Sequence, residues 1–135
     1  MLDTCAIIDL LIDMDNLSKV AQNFIEDYNN TFYASSESMR ELIVLFNNKK
    51  LLNKHFKTAE QVLAAVENDL RIDFLPIRPD VCYTYSRLRL NEAMNHYDPS
   101  DHIIISHAIT ERMALMSSDR KFEFYQKQGL ELILY

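Results

Sequence analysis

The sequence predicts an α/β fold built on a mostly parallel sheet. Three observations carry it: short β-rich apolar runs recur along the chain, longer helical patterns separate them, and no repeat or Pro/Gly-rich linker breaks the alternation. The first strand lies near Leu2 and is very short, because Asp3 follows at once. Helical patterns run over about Ala6 to Met14 and Leu17 to Tyr28, and a second strand over Thr31 to Ala34. A third helix is expected over Glu37 to Asn48, where Met39, Leu42, Ile43 and Phe46 recur at helical spacing and mark a core face. Leu63, Val66 and Leu70 do the same in a helix over Ala59 to Leu70. A third strand over Ile72 to Ile77 is followed by helices over Pro79 to Asn95 and Pro99 to Arg112. Strands over Ala114 to Met116 and Leu130 to Leu134 close the pattern, with a short turn after Asp119 between them.

The chain has 135 residues, of which 48% are hydrophobic. That is the size of one domain with a sufficient core, so a single domain over 1–135 is expected. No apolar run approaches the roughly 20 residues that span a bilayer, and no basic-then-apolar leader opens the sequence; a cytoplasmic location and no membrane partner are expected. Cys5 and Cys82 are too few for a disulfide framework and lack paired zinc-site spacing, so they read as small core residues. Gly129 is the only glycine. Phosphate-cradling loops need glycines for close backbone approach, which excludes a Walker loop and a dinucleotide fingerprint.

The acids stand out next. Asp3 ends the first strand, Glu41 lies about one turn into an apolar helix, Asp101 opens the helix after Asp98-Pro99-Ser100, and Asp119 follows the Leu115-Met116 strand. Ligands of open α/β sheets collect outside the carboxyl ends of the strands, so acids from these places can converge on one rim. Hard oxygen donors of this kind suit Mg²⁺ or Mn²⁺, which act with substrate phosphates. One such ion, or a pair about 4 Å apart, would lower the pKa of a bound water and polarise a phosphoryl oxygen, so the implied reaction is phosphodiester hydrolysis. Ser36, Asp98 and Ser117 are candidate supporting residues.

Each acid also has a plain structural explanation. Asp98 before Pro99 suits a helix N-cap, with Asp101 completing something like a capping box. Asp3 and Asp119 can serve as strand-end and turn residues, and Glu41 as a solvated helix residue. The set of four favours the metal reading. Asp9, Asp13 and Asp15 read as exposed. The four histidines show no i, i+4 pairing and read as core or surface residues. Tyr83, Tyr85, Tyr97 and Tyr125 could stack on bases or serve as ordinary amphipathic residues. The formal charge of −6 is unusual for a protein that touches nucleic acid. Lys49, Lys50, Lys54 and Lys57, with His55, would supply a basic rim, or simply a solvated helix end.

Leu2-Asp3-Thr4, Ser36 five residues before Glu41-Leu42, Asp98-Pro99-Ser100-Asp101 leading an Ile-rich helix, and Ser117-Ser118-Asp119-Arg120-Lys121-Phe122 together resemble the PIN-domain nucleases. The resemblance is greatest to the toxins of VapBC toxin–antitoxin modules and covers essentially the whole chain. It implies a PIN-like three-layer sandwich with a five-stranded, mostly parallel sheet of order 3-2-1-4-5 flanked by helices. It implies Mg²⁺- or Mn²⁺-dependent ribonuclease activity on Asp3, Glu41, Asp101 and Asp119, an RNA substrate, a cognate antitoxin and a homodimer. The chain departs from the family's pattern in having only Met1 and Leu2 before Asp3, and in Cys5, where a polar residue is frequent. Two other phosphate-handling families fit less well. A haloacid-dehalogenase-type phosphatase wants a second aspartate where Cys5 stands, and a response-regulator receiver needs an acid pair beside its phosphoacceptor. Two further readings remain open: a housekeeping RNA-processing nuclease, and a non-catalytic RNA- or protein-binding module on the same scaffold.

Overall fold

Parallel pairing organises the sheet in the computed structural model, which describes residues 1–48 and 51–135. Strand β1 (Phe32–Ser35) pairs with β2 (Ile72–Leu75), Ala34 lying opposite Phe74. Strand β3 (Leu115–Ser117) pairs with β4 (Leu132–Leu134), Met116 lying opposite Ile133. Where a central strand was expected, Leu2 alone makes single parallel bridges to Ala34 and Met116. The main chain there still bonds in both directions: the Leu2 amide donates to Tyr33 O at 2.7 Å and the Asp3 amide to Met116 O at 3.0 Å. A very short first strand therefore joins the two pairs without forming a ladder of its own.

Alternate strand residues face opposite ways, and the core divides accordingly. Leu2, Ala34, Ile72 and Met116 belong to one apolar cluster, with Ala6 and Ile7 of α1 (Thr4–Ile12), Ala21 of α2 (Lys19–Glu26), Leu42 of α3 (Ser36–Asn47) and Val62 of α4 (Ala59–Ala64). Met1 and Leu115 belong to the other, with Ile104, Ile105 and Ala108 of α6 (Pro99–Glu111) and with Phe122 and Tyr125. Helix α5 (Pro79–Arg87) packs on α6. The result is an α/β arrangement with parallel strands between helical layers. No helix among the described residues is long and apolar enough to cross a membrane.

Local chemistry starts the helices where the sequence supplies it. Ser18, Ser35 and Thr58 place side-chain oxygens on the first-turn amides of α2, α3 and α4. Asp98 accepts from the Ser100 amide at 2.9 Å, with Pro99 at the first helical position of α6. Asp101 makes no return bond that would complete a capping box, because its carboxylate is bonded to His96 instead.

Several expectations are corrected. The helix expected over Pro79 to Asn95 ends at Arg87, because Gln128 takes both main-chain groups of Arg89: its Oε1 accepts from the Arg89 amide at 2.8 Å and its Nε2 donates to the Arg89 carbonyl at 2.9 Å. The turn after Asp119 is a nine-residue 3₁₀ helix, Arg120–Gln128. Its three-residue repeat puts Phe122 and Tyr125 on one buried side, and that burial sustains an otherwise unfavourable length. In α3 the core side is Ser38 and Leu42 with Leu45 and Phe46, whereas Met39 and Ile43 are only half-buried and lie outside both clusters. Cys82 is exposed and Cys5 half-buried, so neither is a core residue. Asp9 is half-buried, accepting from the Tyr135 hydroxyl at 2.8 Å, while Asp13 and Asp15 are exposed. Tyr125 is fully buried and unavailable for stacking on a base, while Tyr83 and Tyr97 are exposed. Lys54, His55 and Lys57 are exposed, and Lys49 and Lys50 lie outside the described residues.

These packing differences set the cost of substitution within one helix. Leu42→Ala is expected to destabilise the fold by about 2–5 kcal/mol, and Met39→Ala by less than about 1 kcal/mol. Urea unfolding of the two variants beside the wild type measures both.

Candidate metal centre

Asp3 sits where the short central strand turns into α1, and only 2% of its surface is exposed. Its oxygens are fully engaged. Oδ1 accepts from the Thr4 amide at 2.7 Å, capping α1, while Oδ2 accepts from the Ser117 hydroxyl at 2.7 Å and the Cys5 thiol at 3.0 Å. Burial pushes the Asp3 carboxyl above the ordinary range and the charge of Asp119 adds to this, against the three hydrogen bonds. Burial and the neighbouring Asp3 charge likewise push the Cys5 thiol up, so it acts as a neutral donor. Ser117 also accepts from the Asp119 amide at 3.1 Å, which ties the end of β3 to Asp3.

Glu41, on α3, reaches the same region through the Thr4 hydroxyl, which donates to Oε2 at 2.5 Å. Burial, with the charges of Asp101, Asp3 and Asp98 behind it, raises its carboxyl to about 7 despite that bond. Asp101, two residues into α6, is raised to about 7 by burial and then by Asp3, Asp98 and Asp119. The mutual repulsion records how the fold gathers these acids from four elements. Asp119 caps the 3₁₀ helix, accepting from the Lys121 amide at 2.8 Å.

His96 joins the acids although no motif or spacing of its own marks it in the sequence. It lies just after Asn95, whose left-handed backbone (φ 49°) turns the chain inward, and it is 1% exposed. Its Nε2 stands 2.8 Å from Asp101 Oδ2 and its Nδ1 2.9 Å from the Tyr125 hydroxyl. Burial lowers its pKa, which leaves the ring neutral near pH 7. No i, i+4 spacing announces this histidine, because Asp101 and Tyr125 come to it from other elements; its place just before the Asp98-Pro99-Ser100-Asp101 motif was the available signal.

The supporting candidates separate. Ser117 touches Asp3 directly. Asp98 is an exposed cap whose charge is felt at Glu41 and Asp101. Ser36 is turned elsewhere, accepting from the Ile77 amide at 3.2 Å and so joining α3 to the segment after β2. Two cations border the acids. Arg40 is held by Glu37 and by the Ser100 hydroxyl at 2.6 Å, and the charge of Lys121 is felt at Asp101.

In Glu41, Asp101 and Asp3, burial and the neighbouring acids together hold the carboxyls above the ordinary range, and at Asp101 they outweigh the opposing charge of Lys121. Such a donor set fits a hard divalent cation. His96, Asp101 and Asp119 each present a ligand atom, all within 4.8 Å of one another. Asp3 and Glu41 lie outside that compact group: both Asp3 oxygens are bonded, to Thr4, Ser117 and Cys5, and Glu41 Oε2 accepts from Thr4.

The raised pKa values have a defined consequence for stability. A carboxyl whose folded pKa exceeds its unfolded value of about 4 favours folding while protonated, and that contribution is lost as pH climbs from about 4 through about 7. Asp101→Asn should therefore raise the melting temperature of the metal-free protein at about pH 8 and leave it unchanged near pH 4. Thermal unfolding in EDTA at both pH values checks this.

The family model of the PIN domain matches residues 1–128. No curated protein sequence matches the chain. Among solved structures, the fold is similar to VapBC2 from Rickettsia felis bound to a DNA fragment from their promoter, with a TM-score of 0.74 and 21% identity over 99% of this chain and 96% of that one. It is similar to VapBC-1 from nontypeable Haemophilus influenzae, with a TM-score of 0.71 and 24% identity over 99% and 96%. It is similar also to VapBC-5, a member of the toxin–antitoxin family from Mycobacterium tuberculosis, with a TM-score of 0.67 and 20% identity over 99% and 96%. At these identities the likeness is one of fold. The match over nearly the whole sequence, on a parallel sheet with acids gathered at its strand and helix ends, means that this chain belongs to the PIN domain family.

Proposed function

We propose that this protein is a metal-dependent endoribonuclease that hydrolyses RNA phosphodiester bonds and is the toxin of a type II toxin–antitoxin pair. The observation that carries the reading is the convergence of Asp3, Glu41, Asp101 and Asp119, felt by Asp101 as repulsion from both of the other aspartates and by Glu41 as repulsion from Asp3 and Asp101. Membership of the PIN family supports nuclease chemistry, and similarity to VapBC structures supports an antitoxin partner. The reading takes Leu2 as what remains of a central strand, so that the expected order 3-2-1-4-5 runs β2, β1, Leu2, β3, β4. It also takes residues 1–135 as one domain that works in the cytoplasm as a homodimer.

In this reading Asp101 and Asp119 hold Mg²⁺ or Mn²⁺ with Glu41, while Asp3, fixed by Ser117, Thr4 and Cys5, contributes the central charge. The bound ion would supply an activated water and charge stabilisation at the phosphoryl oxygens. The chain's own groups do the rest. Ser117 holds Asp3 and the Asp119 main chain in one register, and the Thr4 hydroxyl does the same for Glu41. Arg40 and Lys121 supply the positive charge that a phosphate backbone requires on a chain of net −6.

Purified, antitoxin-free protein is expected to cleave members of a broad RNA panel with Mn²⁺. Asp101→Asn and Asp119→Asn should each fall to the level of the EDTA-treated wild type while keeping the wild-type fold. Intact RNA after incubation with the wild type would point to the non-catalytic binding module, and Mn²⁺ calorimetry separates the two because such a module need not bind metal.

A further inference from the structure

The buried polar chain behind Asp101 has a direction. Tyr125, fully buried, accepts from the Asn91 amide at 3.3 Å. Having accepted there, its hydroxyl keeps its own proton to donate, and the neighbour at 2.9 Å is His96 Nδ1. A neutral imidazole that accepts at Nδ1 carries its proton on Nε2. That nitrogen lies 2.8 Å from Asp101 Oδ2, a distance at which an ionised carboxylate accepts. The opposite tautomer would aim a lone pair at the carboxylate and set the Nδ1 proton against the Tyr125 hydroxyl. The ring is also fixed from behind: His102 Nε2 lies 3.1 Å from the His96 carbonyl, and Phe122 and Tyr125 pack on the imidazole with centroids 5.6 Å away. The side chain of Asn91 donates to the Lys121 carbonyl at 3.3 Å, which ties this chain to the segment that bears Asp119.

We propose that His96 is the positioning residue of the metal centre: locked by Tyr125 with its proton on Nε2, it holds Asp101 Oδ2, leaves Oδ1 for the cation, and is not itself a ligand. The role rests on the metal-site reading above. His96 belongs to the group of three whose ligand atoms lie within 4.8 Å of one another, so the alternative is a nitrogen ligand. The direction of the hydrogen bonds decides against it, because a nitrogen that carries a proton has no lone pair for a metal. Outer hydrogen bonds of this kind orient a ligating carboxylate and favour its ionised form. They also keep the donor set all-oxygen, which favours Mg²⁺ and Mn²⁺ over zinc.

Three measurements test it. Nitrogen-15 NMR of the metal-free protein at about pH 8 should show His96 protonated on Nε2; a proton on Nδ1 overturns the proposal without touching the nuclease reading. Pulsed EPR of the Mn²⁺-loaded wild type should show no directly coordinated nitrogen, and a strong ¹⁴N coupling that disappears in His96→Gln overturns it. In Mn²⁺ calorimetry, His96→Leu should bind about 10- to 100-fold more weakly than the wild type, whereas His96→Gln, whose amide can place a donor near the same point, should recover most of that loss. Tyr125→Phe, which removes the lock and leaves the imidazole in place, gives a milder loss and serves where His96→Leu does not fold. Equal Mn²⁺ affinity in all four proteins overturns the role of His96 alone. A wild type that binds no Mn²⁺ overturns the metal-site reading and the role with it.

Discussion

A carboxylate buried at the centre of the sheet is the constraint on which the rest depends. Asp3 cannot be left unpaired at 2% exposure, since an isolated buried charge costs several kcal/mol. Its three hydrogen bonds come from the first residue of α1, from Cys5, and from Ser117 at the end of β3. Those partners fix the entry of α1, the register of β3 against the short central strand, and the position of Asp119 two residues on. A cost in folding is thus converted into placement. The thiol of Cys5, half-buried and neutral, is part of that arrangement, although its sequence context suggested only a packing role.

The remaining acids follow from how elements are stacked around that point. Helix α3 packs against α1 and α6, which lets the Thr4 hydroxyl reach Glu41 and brings Asp101 within range of both. Burial, with their repulsion added to it, raises two carboxyls to about 7. Groups shifted this far by burial and by like charges cluster at functional sites, and under the proposed function a divalent cation offsets their charge. The second apolar cluster contributes through Tyr125 and Phe122, which bury His96 and aim it at Asp101. One side of the sheet therefore holds the acids in register, while the other supplies the buried polar chain behind one of them.

The class of fold is legible in the sequence, as are the acids that the proposed function assigns to the metal site. Apolar runs alternating with helical patterns are a local property, so the four strands, the Leu2 bridges and most helices are legible from spacing alone, and Asp98 with Pro99 marks the start of α6 through capping chemistry that needs no distant partner. Asp3, Glu41, Asp101 and Asp119 stand out because hydrophilic residues interrupt apolar elements. The remaining features depend on partners far apart in the chain. Gln128 ends α5 by bonding to Arg89, burial of Phe122 and Tyr125 draws nine residues into a 3₁₀ helix, and Leu42 faces the core while Met39 does not. His96 shows the reason most directly: its partners Tyr125 and Asp101 are 29 and five residues away, and the direction of a hydrogen bond between them depends on what the other side of each group touches. No periodicity or motif carries that information, because it is a property of three-dimensional neighbours.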